Sequence, residues 1–331
     1  MTDTQVVAGA DRVMDAVGIL TEEYRRDPDP ELARQIVRLR HDAFGRDRAP
    51  SQRESWPPEL ADPFPDVRGV PEISAAEISA AVVGGAILHH GAVIVRGLLT
   101  PDEVSVVQDR ALSVLEDRDN ESDDGRPGAE SAYRPFQVEA ASVPTERAWV
   151  REVGGMLVAD APEMMLEVLE IFRAKGVIDT VTEYLGERPA LSYNKCVLRR
   201  IRESAPTWHQ DGAFIGSGIR AIDLWLSLSH CGGDNPAPGL DVVPKRVDEI
   251  LETGTKGSIF PNSIGQGLVD EVAVDAQPET PSFAPGDAIF FDDFFVHRSS
   301  SEREFTADRY ALESWFFAPS CFPERYVPIL V

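Results

Sequence analysis

After Pro189 the chain is cut into short stretches rich in β-branched and aromatic residues, at 191–200, 221–228, 240–243, 269–274, 286–291 and 310–317. Turn-forming sequences separate them, among them Pro236-Ala237-Pro238-Gly239 and Pro285-Gly286-Asp287. Glycine and proline end a strand and reverse the chain, so such a series folds as a sandwich, barrel or jelly roll.

The first half has a different period. Val13, Val17, Ile19 and Leu20 recur at helical spacing, Asp27-Pro28-Asp29-Pro30 interrupts, and Leu32, Ile36, Val37 and Leu39 resume. A proline-rich stretch runs from Trp56-Pro57-Pro58 to Phe64-Pro65. Residues 1–65 therefore read as a helical N-terminal extension with a linker, and residues 66–331 as the main domain. Within that domain a short helix is expected at 73–78 and a strand at 86–98 centred on Ala92-Val93-Ile94-Val95. His89 and His90 would then face opposite sides of a strand. Thr100-Pro101-Asp102-Glu103 is a helix start: Thr100 can cap, Pro101 suits the first helical position, and Glu103 can complete a capping box. Further helices are expected at 162–174 and 178–185. The class is α+β, with a double-sheet β-core and flanking helices.

Charge narrows the partners. Acidic residues number 56 against 32 Lys and Arg, a net charge of −24. Affinity for phosphates comes from clustered cations, so neither nucleic acid nor an anionic membrane is an expected partner. The three cysteines, Cys196, Cys231 and Cys321, are far apart and form no CxxC, which suggests a reducing, cytoplasmic setting. The acidic N-terminus does not read as a signal peptide. No Gly-Lys phosphate loop, no Gly-x-Gly-x-x-Gly after a strand, no Gly-x-Ser-x-Gly and no His-Glu-x-x-His is present. P-loop, Rossmann, α/β-hydrolase and zincin chemistries fall away with them.

What remains is a constellation. His209 and Asp211 lie in Trp208-His209-Gln210-Asp211-Gly212, where i and i+2 at a strand end point the same way and can grip one cation. His297, in Phe294-Phe295-Val296-His297-Arg298-Ser299, follows the apolar strand Ala288-Ile289-Phe290-Phe291 and is placed to be the third ligand. Two histidines and a carboxylate on one face leave three octahedral positions open, the arrangement of non-heme Fe(II) oxygenases. Arg309 opens another apolar strand, and a guanidinium there wants a carboxylate to fork onto. Ser299, two residues after His297, can add a hydroxyl. His230, beside Cys231-Gly232-Gly233, reads as a loop histidine.

These residues resemble the phytanoyl-CoA dioxygenase family of Fe(II)/2-oxoglutarate oxygenases. The resemblance runs from Gly91-Ala92-Val93-Ile94-Val95-Arg96-Gly97-Leu98-Leu99 to Phe317. It includes Trp208-His209-Gln210-Asp211-Gly212, Pro238-Gly239-Leu240 to Val243-Pro244, and Arg309-Tyr310-Ala311 to Ser314-Trp315-Phe316-Phe317-Ala318-Pro319. It implies a double-stranded β-helix (a cupin-like jelly roll) in which His209, Asp211 and His297 bind iron and Arg309 clamps 2-oxoglutarate. Ser299 and Asn194 would assist the co-substrate, and Trp225 lies on a strand that lines the pocket. Fe(II), 2-oxoglutarate and O2 are the implied cofactor and co-substrates. The expected outcome is hydroxylation of an unactivated C–H bond of a small molecule, a natural-product intermediate, amino acid or acyl thioester, with release of succinate and CO2. Desaturation, epimerisation and ring formation stay open on the same scaffold. Two alternatives remain: a zinc hydrolase using the same triad, and a non-catalytic binding protein on the oxygenase fold. A monomer or a homodimer is expected, with the N-terminal helices as a possible interface. Segments 117–130 and 245–266 are the candidate lids.

Overall fold

The computed structural model describes residues 3–45, 55–120, 131–138, 140, 142–203, 207–301 and 303–331. The chain opens with helices α1 (Asp3–Arg26) and α2 (Pro30–Phe44), then β1 (Glu72–Ser74), α3 (Ala80–His90), β2 (Ala92–Arg96) and α4 (Pro101–Asp119). The middle holds α5 (Ser142–Glu152), β3 (Gly155–Leu157), α6 (Pro162–Ala174), α7 (Val177–Leu185) and β4 (Ala190–Ile201). Next come α8 (Gly212–Ile215), β5 (Ala221–Ser227), β6 (Leu240–Val242) and α9 (Gln266–Val272). Last are β7 (Ala288–Phe291), β8 (His297–Ser299), β9 (Arg309–Phe317) and β10 (Pro328–Leu330). Two compact units share this chain, one made of Met1–Trp56, Ser105–Leu198 and Ser314–Val331, the other of Pro57–Val104 and Arg199–Glu313. No helix among the described residues is long and apolar enough to cross a membrane.

The first unit is the helix-rich one. Asp29 caps α2 by accepting from the backbone N–H of Glu31 and Leu32, both at 2.8 Å, with Pro30 at the first helical position. The face thus started buries Ala33, Ile36, Val37, Arg40 and Ala43, a stripe at i, i+3, i+4, i+7 and i+10. Strand β10 pairs antiparallel with β4, Leu330 opposite Ala190.

The second unit is the jelly roll. Its larger sheet runs β1-β2-β7-β5, with β1 and β2 parallel and the other pairs antiparallel. Its smaller sheet pairs β6 with β8, Val242 opposite His297. Alternate residues of both sheets meet in one apolar core: Ala92, Ile94, Trp225, Ile289 and Phe291 from the larger, Leu240 and Val242 from the smaller. Phe283, Phe295 and Ala311 complete it. Each such buried aliphatic or aromatic side chain stabilises by roughly 1.5–3 kcal/mol. Residues flanking the smaller sheet form a second cluster, in which Trp208, Val243 and Val296 pack with Val269 and Ala273.

Three expectations need correction. Residues 269–274 are not a strand: α9 covers them up to Val272, because Leu268, Val269, Val272 and Ala273 recur at helical spacing and that face packs on Trp208 and Val296. Residues 73–78 are not a helix of any length but the end of β1 followed by a single 3-10 turn, Ala75–Glu77, boxed by Ser74 and Glu77. The strand expected over 86–98 is shorter, because α3 extends to His90 and stops at Gly91, whose φ of 85° only glycine adopts without strain. His89 and His90 therefore end a helix, bonded to Leu60 O at 2.9 Å and to the Asp62 carboxylate at 3.0 Å, and do not flank a strand. The start of α4 is as expected, with Glu103 Oε2 accepting from Thr100 N–H at 2.8 Å. The candidate lid at 117–130 lies largely outside the described residues, from 121 on.

Helix α3 has two central glycines, and one of them is there for space. A Cβ on Gly85 would sit 2.5 Å from the carbonyl oxygen of Ala61 and 2.9 Å from Pro63. Gly85→Ala should therefore lower stability by about 1–3 kcal/mol through overpacking, although alanine is the better helix former by ~1 kcal/mol. Chemical denaturation reads the sign directly; a stabilised variant would show that the helix is not pressed against 61–63.

Candidate metal centre

Strand alternation puts the candidate ligands on the inside. Around β8, Phe295 belongs to the inner core and Val296 to the outer cluster, so His297 faces inward with Phe295. Trp208 is outward by the same criterion, which turns His209 inward, and the two histidines are themselves bridged, each N–H donating to the other's carbonyl at 3.0 Å. Asp211 follows where the strand turns into α8, and Gly212 N–H donates to Asp293 O at 2.9 Å. His209 Nε2 lies 3.8 Å from one Asp211 oxygen and His297 Nε2 lies 3.9 Å from the other. One ligand atom from each of the three lies within 4.8 Å of the others, close enough to hold one metal ion.

Both imidazoles are already set for that task. His209 Nδ1 bonds Thr207 O at 3.0 Å and His297 Nδ1 bonds Phe295 O at 3.1 Å. A ring that donates through Nδ1 to a carbonyl keeps its Nε2 lone pair for a metal. Burial disfavours the charged ring: His297 is held below the ordinary histidine range, and His209, crowded also by His297, falls to about 4. Both are therefore neutral near pH 7. His209 keeps about 25% of its side-chain surface open, so the centre has a mouth.

Arg309 faces the same interior, two residues before the core residue Ala311 on β9. Its guanidinium is buried, donates to Gly239 O at 2.9 Å and to Ser299 Oγ at 3.3 Å, and has Nε without a partner. Burial lowers its pKa to about 10. No carboxylate pairs with it among the described residues: Asp308 binds Arg202 and Glu313 binds Arg199. Trp225, on β5, belongs to the apolar core. The Arg309 guanidinium lies 5.5 Å from its ring centre, and the indole N–H is buried with no acceptor. The Arg309 Nε–H and the Trp225 indole N–H are thus two buried donors without an acceptor among the described residues. Asn194 belongs to the helix-rich unit, where its Oδ1 accepts from Val327 N–H at 2.8 Å and its Nδ2 stays unpartnered. His230 has no part in the triad.

Two buried polar residues stand outside the sequence reading of the site. Asp223, buried on the inner face of β5 two residues before Trp225, has no hydrogen-bond partner for either oxygen. Burial, reinforced by the Asp211 carboxylate, drives its pKa well up. Gln210, between two ligands, is fully buried and uses its amide on backbone: Nε2 donates to Glu249 O at 3.0 Å and to Phe294 O at 2.7 Å, and Oε1 accepts from Leu251 N–H at 2.8 Å. Nothing local flags either residue: Asp223 needs the register of β5, buried along its whole length, and Gln210 needs the fold of 249–251.

No protein-family model matches the sequence, and no curated protein sequence matches it. Solved structures do. EctD from S. alaskensis with 2-oxoglutarate and 5-hydroxyectoine is similar at a TM-score of 0.53 and 17% identity, over 83% of this chain and 88% of that one. The same protein with bound Fe gives 0.51 at 16% identity, over 80% and 89%. At this level of identity the likeness is one of architecture: the chain shares the fold of EctD.

Proposed function

We propose that this protein is an Fe(II)- and 2-oxoglutarate-dependent dioxygenase that hydroxylates an unactivated C–H bond of a small molecule. The observation that carries the reading is the pairing, inside one jelly roll, of an open His-Asp-His face with a buried arginine that has no carboxylate partner among the described residues. EctD, whose fold the chain shares, has been seen with Fe and with 2-oxoglutarate. His209, Asp211 and His297 would hold the iron. Arg309, with the Ser299 hydroxyl and the Trp225 N–H, would receive the far carboxylate of 2-oxoglutarate, answering the Arg309 Nε–H and the Trp225 N–H, which have no acceptor among the described residues. When bound, this pair supplies the oxidation: the substrate C–H, 2-oxoglutarate and O2 become C–OH, succinate and CO2. The protein keeps its imidazoles neutral and aimed, covers the interior with apolar side chains and leaves the His209 side open to substrate. In this reading residues 66–331 form the oxygenase domain and 1–65 an extension to it.

A zinc hydrolase on the same triad would have no use for an unpaired buried guanidinium, which leaves the oxygenase reading the better one. Anaerobic titration decides between them. Adding 2-oxoglutarate to the Fe(II)-loaded protein should raise a visible metal-to-ligand charge-transfer band, and admitting air should release succinate. Zinc-dependent hydrolysis without either signal would overturn the assignment.

A further inference from the structure

Gln210 grips the residues on both sides of Ile250, through Glu249 O and Leu251 N–H. The side chain between them is thereby fixed in place, and its location is informative. A Cβ on Gly212 would run into Cδ1 of Ile250, so Ile250 lies directly on the glycine that follows the ligand Asp211. Yet 38% of Ile250 is exposed. Further bonds fasten the same stretch: Arg246 pairs with Asp248 and with Asp292 and stacks 4.9 Å from the ring centre of Phe294. Phe214, partly exposed, lies 5.9 Å from the His209 ring. Two apolar side chains thus border the mouth of a centre whose other groups are imidazoles and carboxyls.

Holding an isoleucine more than a third exposed, with two hydrogen bonds from a buried glutamine, is unfavourable unless something covers it. We propose that Ile250 is a specificity-determining residue, that Gln210 is the positioning residue that presents it, and that the part of the substrate lying at the metal is an apolar carbon skeleton. The polar recognition groups of the substrate then belong further from the reacting carbon. This inference rests on the oxygenase reading and deepens it.

The test uses the full-length protein loaded with Fe(II) and 2-oxoglutarate, with the charge-transfer band as the check on fold and loading. Probes are n-alkyl amides from butyramide to octanamide, and the polyols xylitol and sorbitol. The amides should accelerate succinate release over the probe-free rate, increasingly with chain length, and the polyols should not. Ile250→Ala should raise the half-saturating octanamide concentration about tenfold, the scale of lost methylene contacts in an apolar pocket. Ile250→Asp should abolish the response while the band persists. Gln210→Ala should weaken octanamide likewise and speed hydrogen exchange at the Leu251 amide. A wild-type band with no amide response, a response to polyols alone, or an amide response that survives Ile250→Asp overturns the inference. A wild type without the band overturns the oxygenase reading, and this inference with it.

Discussion

His297→Ala should abolish metal-dependent succinate formation and weaken Co(II) binding by more than about a hundredfold, beyond what losing an outer supporting group costs a metal site. The reason is arithmetic as well as chemical. The centre has three ligands, two of them neutral imidazoles, and removing one leaves a chelate of His209 and Asp211 from a single turn. Those two hold their atoms 3.8 Å apart without spanning a face. Isothermal titration with Co(II) measures the loss without any substrate. Unchanged Co(II) affinity would show that the ion is held elsewhere, and the site proposed here would have no basis.

The second large effect belongs to Arg309. Arg309→Ala should raise the 2-oxoglutarate requirement at least ~30-fold, the lower end of the roughly 2–5 kcal/mol lost when one member of a buried charged pair is truncated. Metal affinity should hold. Stability of the metal-free protein should change little, because the lost bonds to Gly239 O and Ser299 are offset by relief of a buried charge that has no carboxylate partner among the described residues. Arg309→Lys should recover only part of the affinity, since an ammonium cannot reproduce the fork. Binding of 2-oxoglutarate is followed by the charge-transfer band, and stability by thermal melting. A structural arginine would give the opposite pattern, with a large melting shift and unaltered 2-oxoglutarate binding.

The reach of the sequence follows the range of the forces involved. The strands of the jelly roll were legible because their alternation is local, and so was the helix start at Thr100. Helix α9 was misread because 269–274 is too short and too rich in valine for its period to declare itself; only the contact with Trp208 and Val296 selects the helix. Helix α3 was hidden because Ala80–His90 is apolar nearly all round and holds two glycines, so neither stripe nor propensity announces it. The triad and Arg309 could be named because each follows a recognisable strand or phrase. Asp223 acquires meaning only when register shows which face of β5 looks inward. Gln210 and Ile250 acquire theirs only when residues 249–251 fold back on residue 210, some forty positions away, an event that no window along the chain contains.

The tether from each imidazole Nδ1 to the carbonyl two residues earlier has a thermodynamic corollary. Ring torsions that a mobile histidine would surrender at ligation are surrendered here during folding, so the arriving ion meets donors with little rotational freedom left to lose. Discrimination among divalent ions then depends on how each tolerates a donor geometry prescribed by strand backbone, and on which of them the cell supplies.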